Sequence, residues 1–234
     1  MGSVFRFKEF EVNQQGCAMK INTDGVLLGA MVKKRSIGRV LDIGTGTGVI
    51  ALMIAQRFDQ ALIDAVEIDQ DAYKASQLNF QNSKFKNRIT GFFCSFEELK
   101  PMYKYELIVS NPPFYTNSLH NPDLRKKIAR HTDLFFFDKL INYANEYLSA
   151  EGQLEIILPV EVALYVRKKA ESLRLYVTGC INIRSFEHTE VIRQIIKLGR
   201  IKKEECTENF FIYESQGIYS SSYKAVLQPF FLAF

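Results

Sequence analysis

With 234 residues, 47% hydrophobic and 24% charged, the chain has the make-up of an ordinary soluble protein long enough for one large α/β domain. No apolar run reaches the roughly 18–20 residues of a membrane span, and the first ten residues lack a signal-peptide core. Four scattered cysteines (17, 94, 180, 206) and three histidines (120, 131, 188) without ligand spacing point to reduced thiols in a cytoplasmic protein and away from a metal centre; the net charge of +4 permits a polyanionic partner without requiring one.

In chain order, residues 4–12 alternate apolar and polar side chains and predict a small edge strand. After a turn at 13–16, a helix capped by Thr23 or Asp24 is predicted to run to about Lys34, as a cover on the core or a lid over a ligand. Residues 39–58 predict an apolar strand, a turn containing Gly44, Thr45, Gly46 and Gly48, and a helix. Glycine lets backbone approach a ligand closely, and a helix start presents free N–H groups. A dinucleotide-binding turn reads Gly-x-Gly-x-x-Gly. Here the third glycine comes one place early and Asp42 leads the motif. A strand-end carboxylate repels a pyrophosphate but accepts from an ammonium group, so the motif fits a cationic cofactor without phosphate, S-adenosylmethionine.

Residues 61–67 predict a second strand, and Glu67 stands 19 residues after Gly48, where open α/β sheets place the acid that grips ribose hydroxyls. Asp69 is predicted to cap the next helix, which runs to about Ser83. A third strand at 88–94 leads to Ser95 and Phe96, and a fourth at 105–110 delivers Asn111-Pro112-Pro113-Phe114. Consecutive prolines forbid both a longer strand and an immediate helix. They also supply no N–H, so the turn offers acceptors: the Asn111 side-chain oxygen and the Pro112 carbonyl. With the ring of Phe114 beside them, these acceptors suit a planar group carrying an NH₂. Strand–helix alternation implies a parallel sheet with ligands beyond the carboxyl ends of its strands, where Asp42, Glu67, Ser95 and Asn111 all fall.

Residues 115–133 are polar, and Arg125, Lys126, Lys127 and Arg130 form either a solvated face or a phosphate-contacting patch. A helix at 135–148, a fifth strand at 152–158, a helix at 160–173 and a hairpin of strands at 175–183 and 191–198 follow, with His188 in the hairpin loop. One domain is expected over 1–234: an N-terminal strand and covering helix (1–36), a catalytic core (37–200) and a C-terminal extension packed on it (201–234).

The stretches at 19–30, 41–51, 65–69, 110–114 and 219–234 resemble the class I S-adenosylmethionine-dependent methyltransferases, and within them the Asn-Pro-Pro-aromatic group that methylates amino nitrogens. The Lys-x-x-Thr-Asp-Gly stretch at 20–25 narrows the resemblance to the bacterial enzymes that methylate adenine N6 in valine tRNA, at adenosine 37 beside the anticodon. The resemblance implies a Rossmann-like, mostly parallel sheet of seven strands, the last antiparallel, with helices on both faces. It implies a cofactor site built from Thr23, Asp24, Asp42, Gly44, Thr45, Gly46, Gly48, Glu67, Ile68, Ser95, Phe96 and Asn111. Transfer is assigned to Asn111, Pro112, Pro113 and Phe114, and tRNA contact to Lys20, Tyr115, Arg125, Lys126, Lys127 and Arg130. Ser95 departs from the pattern, since an acid often holds the adenine amine at that place. No protein partner, membrane or metal is expected. A protein-glutamine N5-methyltransferase and a DNA adenine methyltransferase act on the same NH₂ chemistry and stand as alternatives, and a non-catalytic binding module is a third.

Overall fold

The structure, a computed structural model, describes residues 4–33, 37–113 and 122–234, the side chains of 122–133 excepted. The chain opens with β1 (Val4–Arg6) and β2 (Glu11–Asn13), which pair antiparallel as a small ribbon. The single edge strand expected at 4–12 is thus two, because the chain turns back between them with the Phe7 N–H donating to the Phe10 carbonyl. Helix α1 (Thr23–Met31) follows, then β3 (Arg39–Ile43), α2 (Val49–Arg57), β4 (Leu62–Glu67), α3 (Gln70–Asn82), β5 (Ile89–Phe93) and β6 (Tyr105–Ser110). The remainder is α4 (Pro122–Tyr147), β7 (Leu148–Leu158), α5 (Val160–Ser172), β8 (Tyr176–Arg184), β9 (Val191–Gly199), β10 (Cys206–Phe211), β11 (Tyr213–Ser215), β12 (Ile218–Tyr219) and α6 (Ser221–Leu227).

Eight strands form one sheet in the order β10-β8-β9-β7-β6-β3-β4-β5. All neighbours run parallel except β9, which is antiparallel to both β7 and β8. The expected antiparallel last strand of a seven-stranded sheet is therefore β9, and the count is corrected to eight by β10. That strand was hidden because Cys206–Asn209 is polar and exposed at the sheet edge, and only Phe210 is buried.

The central strands are apolar on both sides of the pleat, as a sheet covered twice requires. Val40, Ile63, Leu107, Val109 and Ile157 meet one core with α1, α2 and α6, whereas Leu41, Val66, Ile108 and Ile156 meet a second with α4 and α5. On the first face α1 lies close against α2, since a Cβ on Gly29 would sit 3.1 Å from the Met53 sulfur. Helix α4 starts at Pro122, earlier than the predicted 135. Pro suits a first helical position, and the polar, charged run from there to Asp133 carries no apolar period that would announce a helix.

The chain leaves β3 toward β4 and β5, then crosses back to β6 on the other side of β3. The carboxyl ends of β3 and β6 therefore flank the point where strand order reverses, the usual ligand crevice of such sheets.

Candidate active site

The turn after β3 is shaped by three left-handed glycines, Gly44, Gly46 and Gly48, with φ of 69°, 56° and 83°. A Cβ on Gly48 would fall 2.4 Å from the Phe80 ring, so packing as well as backbone requires glycine there. At Gly44 and Gly46 a Cβ would meet nothing within 4 Å, which leaves bare backbone facing open space. The loop is anchored from several sides. Gly44 and Thr45 donate their N–H groups to the Val66 carbonyl at 3.0 and 3.1 Å, and Ser110 Oγ donates to the Ile43 carbonyl at 2.9 Å. Asn79, on α3, donates to the Thr47 and Asn13 carbonyls and accepts from the Asn13 N–H, joining the loop to the N-terminal ribbon. A lone amide on an otherwise unremarkable helix gave no sequence signal for this role.

Asp42 is fully buried beneath the loop. Its Oδ2 accepts from Thr45 Oγ1 at 2.6 Å, while Oδ1 has no hydrogen-bond partner. Burial pushes its pKa from 3.8 up to about 7, the Thr45 hydroxyl and the Ala51 backbone N–H at the start of α2 offset part of the rise, and the Glu67 charge adds to it. The carboxylate is closed off from the crevice, so a cation arriving there would act on it through its charge and favour the ionised form.

Glu67 ends β4 and gathers three backbone donors: Gly46 N–H on Oε2 at 2.8 Å, and Ile68 and Asp69 N–H on Oε1 at 2.9 and 3.0 Å. A carboxylate has about four acceptor positions, so Oε2 keeps capacity for one more donor. Beside it, Ile68 is 72% exposed and Phe93, at the end of β5, is 52% exposed, an apolar shelf next to the acid. Asp69 caps α3 as predicted, accepting from the Ala72 N–H at 2.8 Å. Ser95 Oγ accepts from the Glu97 N–H, and Glu98 Oε2 accepts from the Ser95 N–H. The Phe96 ring is buried in the second core against Phe136 and Tyr143, so its backbone alone could face a ligand.

Asn111 and Pro112 follow β6, with Pro112 buried and Pro113 exposed. Phe114 and Tyr115 lie outside the described residues, and Arg125, Lys126, Lys127 and Arg130 fall in the first turns of α4, where side chains are not described. Opposite the turn stands the start of α1. Its cap is Asn22, not Thr23 or Asp24: Oδ1 accepts from the Gly25 N–H at 2.8 Å and also from Asn111 Nδ2 at 3.3 Å. Thr23 and Lys20 are exposed, and the Asp24 carboxylate is engaged by Arg193 Nε of β9 at 2.8 Å. Asp42, Glu67, Ser95 and Asn111 thus fall at or just beyond the carboxyl ends of the neighbouring strands β3, β4, β5 and β6, with the α1 start against Asn111.

Residues 17–164, more than half the chain, match the family model described as the methyltransferase small domain. The chain belongs to that family. Among its relatives, a protein from Pedobacter heparinus named tRNA1(Val) (adenine(37)-N6)-methyltransferase is 46% identical over 234 residues, covering 100% of both chains. Among solved structures, a predicted O-methyltransferase from Agrobacterium tumefaciens aligns with a TM-score of 0.70 at 16% identity, covering 88% of this chain and 96% of that one. A putative class I S-adenosylmethionine-dependent methyltransferase from Listeria monocytogenes gives 0.56 at 16% identity, covering 87% and 65%. Both share the fold.

The methyltransferase uses S-adenosylmethionine, and the crevice fits it: a buried carboxylate beneath bare glycine backbone, and an acid with a spare acceptor position beside an apolar shelf. Because the raised pKa of Asp42 exceeds its unfolded value, its ionisation lowers stability as pH rises from 3.8 to about 7, with no further effect above. A cationic ligand favours the ionised form, so cofactor affinity is expected to rise up to roughly eightfold between about pH 6 and 7.5. Titration calorimetry across that range checks this; an Asp42→Asn variant should be flat, and a flat wild type would contradict it.

Proposed function

We propose that this methyltransferase transfers a methyl group to the exocyclic N6 of adenosine 37 in valine tRNA, in the cytoplasm. What carries the reading is the full-length similarity to relatives so named, taken together with a rigid acceptor turn at the crevice. Protein glutamine and DNA are not favoured by those relatives.

Bound S-adenosylmethionine supplies an electrophilic methyl on a sulfonium. Glu67 and the open loop at Gly44 and Gly46 would hold its ribose and methionine portions, with Asp42 beneath. The adenine N6 lone pair is delocalised into the ring and is a poor nucleophile. Asn111 Oδ1 and the Pro112 carbonyl accept the two N6 hydrogens, which fixes the amine so that its lone pair faces the methyl. The prolines hold that geometry because φ is fixed at both. Transfer would break the S–CH₃ bond of the sulfonium as the N–C bond forms, releasing the neutral thioether S-adenosylhomocysteine, and the methylated nitrogen would give its proton to water, so no strong base is required of the chain. Positioning and electrostatics carry the catalysis. Taking the base from the anticodon-loop stack costs a few kcal/mol, which Phe114 would offset by stacking. The decisive test of substrate is an unmodified valine tRNA transcript, which should accept label where its variant with guanosine at position 37 does not; equal labelling of both would refute the assignment.

Arg125, Lys126, Lys127 and Arg130 follow the reaction turn closely in sequence and are assigned to phosphate contact. Reversing all four to Glu should weaken tRNA binding and flatten the plot of log affinity against log salt, by about 0.7–0.9 per lost contact. Cofactor affinity should not move. An unchanged salt slope would exclude this patch.

A further inference from the structure

The amide of Asn111 has two faces, and only one orientation presents an oxygen to an amine. Two features of α1 decide which. The Gly25 N–H donates to Asn22 Oδ1 at 2.8 Å, and this backbone donor has one possible polarity, so it fixes Asn22 with its oxygen toward the helix start. The same oxygen faces Asn111 at 3.3 Å, so the Asn111 atom opposite it must be the NH₂. The Gly25 backbone lies directly against the amide pair: a Cβ there would be in ordinary contact, 3.4 Å from Asn111 Nδ2 and 3.5 Å from Asn22 Oδ1.

We propose that Asn22 is a positioning residue, which reads the polarity of the Gly25 N–H and passes it to Asn111, holding the Asn111 oxygen toward the target amine. The inference rests on the reading of Asn111 as the acceptor for that amine. Without Asn22 the Asn111 amide rotates between two orientations, and in one of them it presents a donor to a donor. Capping of α1 and orientation of Asn111 thus share a single oxygen atom.

The two duties are separable. Serine caps helices as well as asparagine does, but its oxygen is attached one bond nearer the backbone and does not span to Asn111. Aspartate keeps both acceptor contacts. Asn22→Ser is therefore expected to lower kcat on the order of 10- to 100-fold, with melting temperature and cofactor Kd unchanged, and Asn22→Asp to restore kcat to within a few-fold of wild type. A kcat for Asn22→Ser within twofold of wild type overturns the proposal. So does a fall in kcat that tracks a fall in melting temperature and is not rescued by aspartate. A second readout needs no turnover: the Asn111 side-chain amide signal in ¹⁵N-labelled protein, identified by its loss in Asn111→Ala, should shift in Asn22→Ser. An unshifted signal also overturns the proposal. A wild-type enzyme inactive on tRNA, with the shift present, would instead fault the substrate assignment.

Discussion

Asn111→Ala should reduce methyl transfer by on the order of 10²- to 10³-fold, the usual cost of deleting one preorganised hydrogen-bonding group at a reacting centre. The reason lies in what the residue contacts. Asn111 belongs to neither core cluster, and among the described residues its side chain hydrogen-bonds to Asn22. Its loss therefore leaves the sheet intact, and the cofactor site, built chiefly from the ends of β3 and β4, is expected to bind as before. The loss should appear in kcat far more than in cofactor Kd. Asn111→Asp is the informative companion: it keeps an acceptor oxygen but loses the NH₂ that meets Asn22 Oδ1 and sets two oxygens against each other. Single-turnover assays with cofactor binding measured in parallel check both. Wild-type turnover by Asn111→Ala would remove the residue from the mechanism.

Glu67→Ala should raise the cofactor Kd by on the order of 100-fold, equivalent to about 3 kcal/mol, because a buried carboxylate accepting from hydroxyls is worth more than a neutral acceptor. It should also destabilise the fold, by about 2–4 kcal/mol, since the Gly46, Ile68 and Asp69 N–H groups lose their acceptor together. Glu67→Gln should fall between, as its NH₂ must face at least one backbone N–H. Urea unfolding and cofactor titration separate the two effects. A variant that keeps wild-type affinity would place the ribose elsewhere.

The elements that carry the candidate site were legible in the sequence because they are written in short, contiguous words. The spacing of Gly44, Gly46 and Gly48 after Asp42 specified a strand, a glycine-rich turn and a helix, and the proline pair after Asn111 marked the end of β6 at Ser110. Strand ends followed from the apolar runs, and β6 (Tyr105–Ser110) has the predicted bounds. What stayed hidden depends on contacts between distant parts of the chain. Asn22 meets Asn111 across 89 residues, and Asn79 meets Thr47 across 32. The Arg193–Asp24 pair spans 169. No local pattern announces such partners. The polar edge strand β10 was invisible for a related reason: its pairing with β8 is made by backbone, to which side-chain alternation is blind.

The measurement that tests the central claim most directly is transfer of labelled methyl from S-adenosylmethionine to bulk tRNA lacking the modification, followed by digestion to nucleosides. Label recovered as N6-methyladenosine is the predicted result. Label absent from RNA but recovered in protein glutamine or in DNA adenine would contradict it.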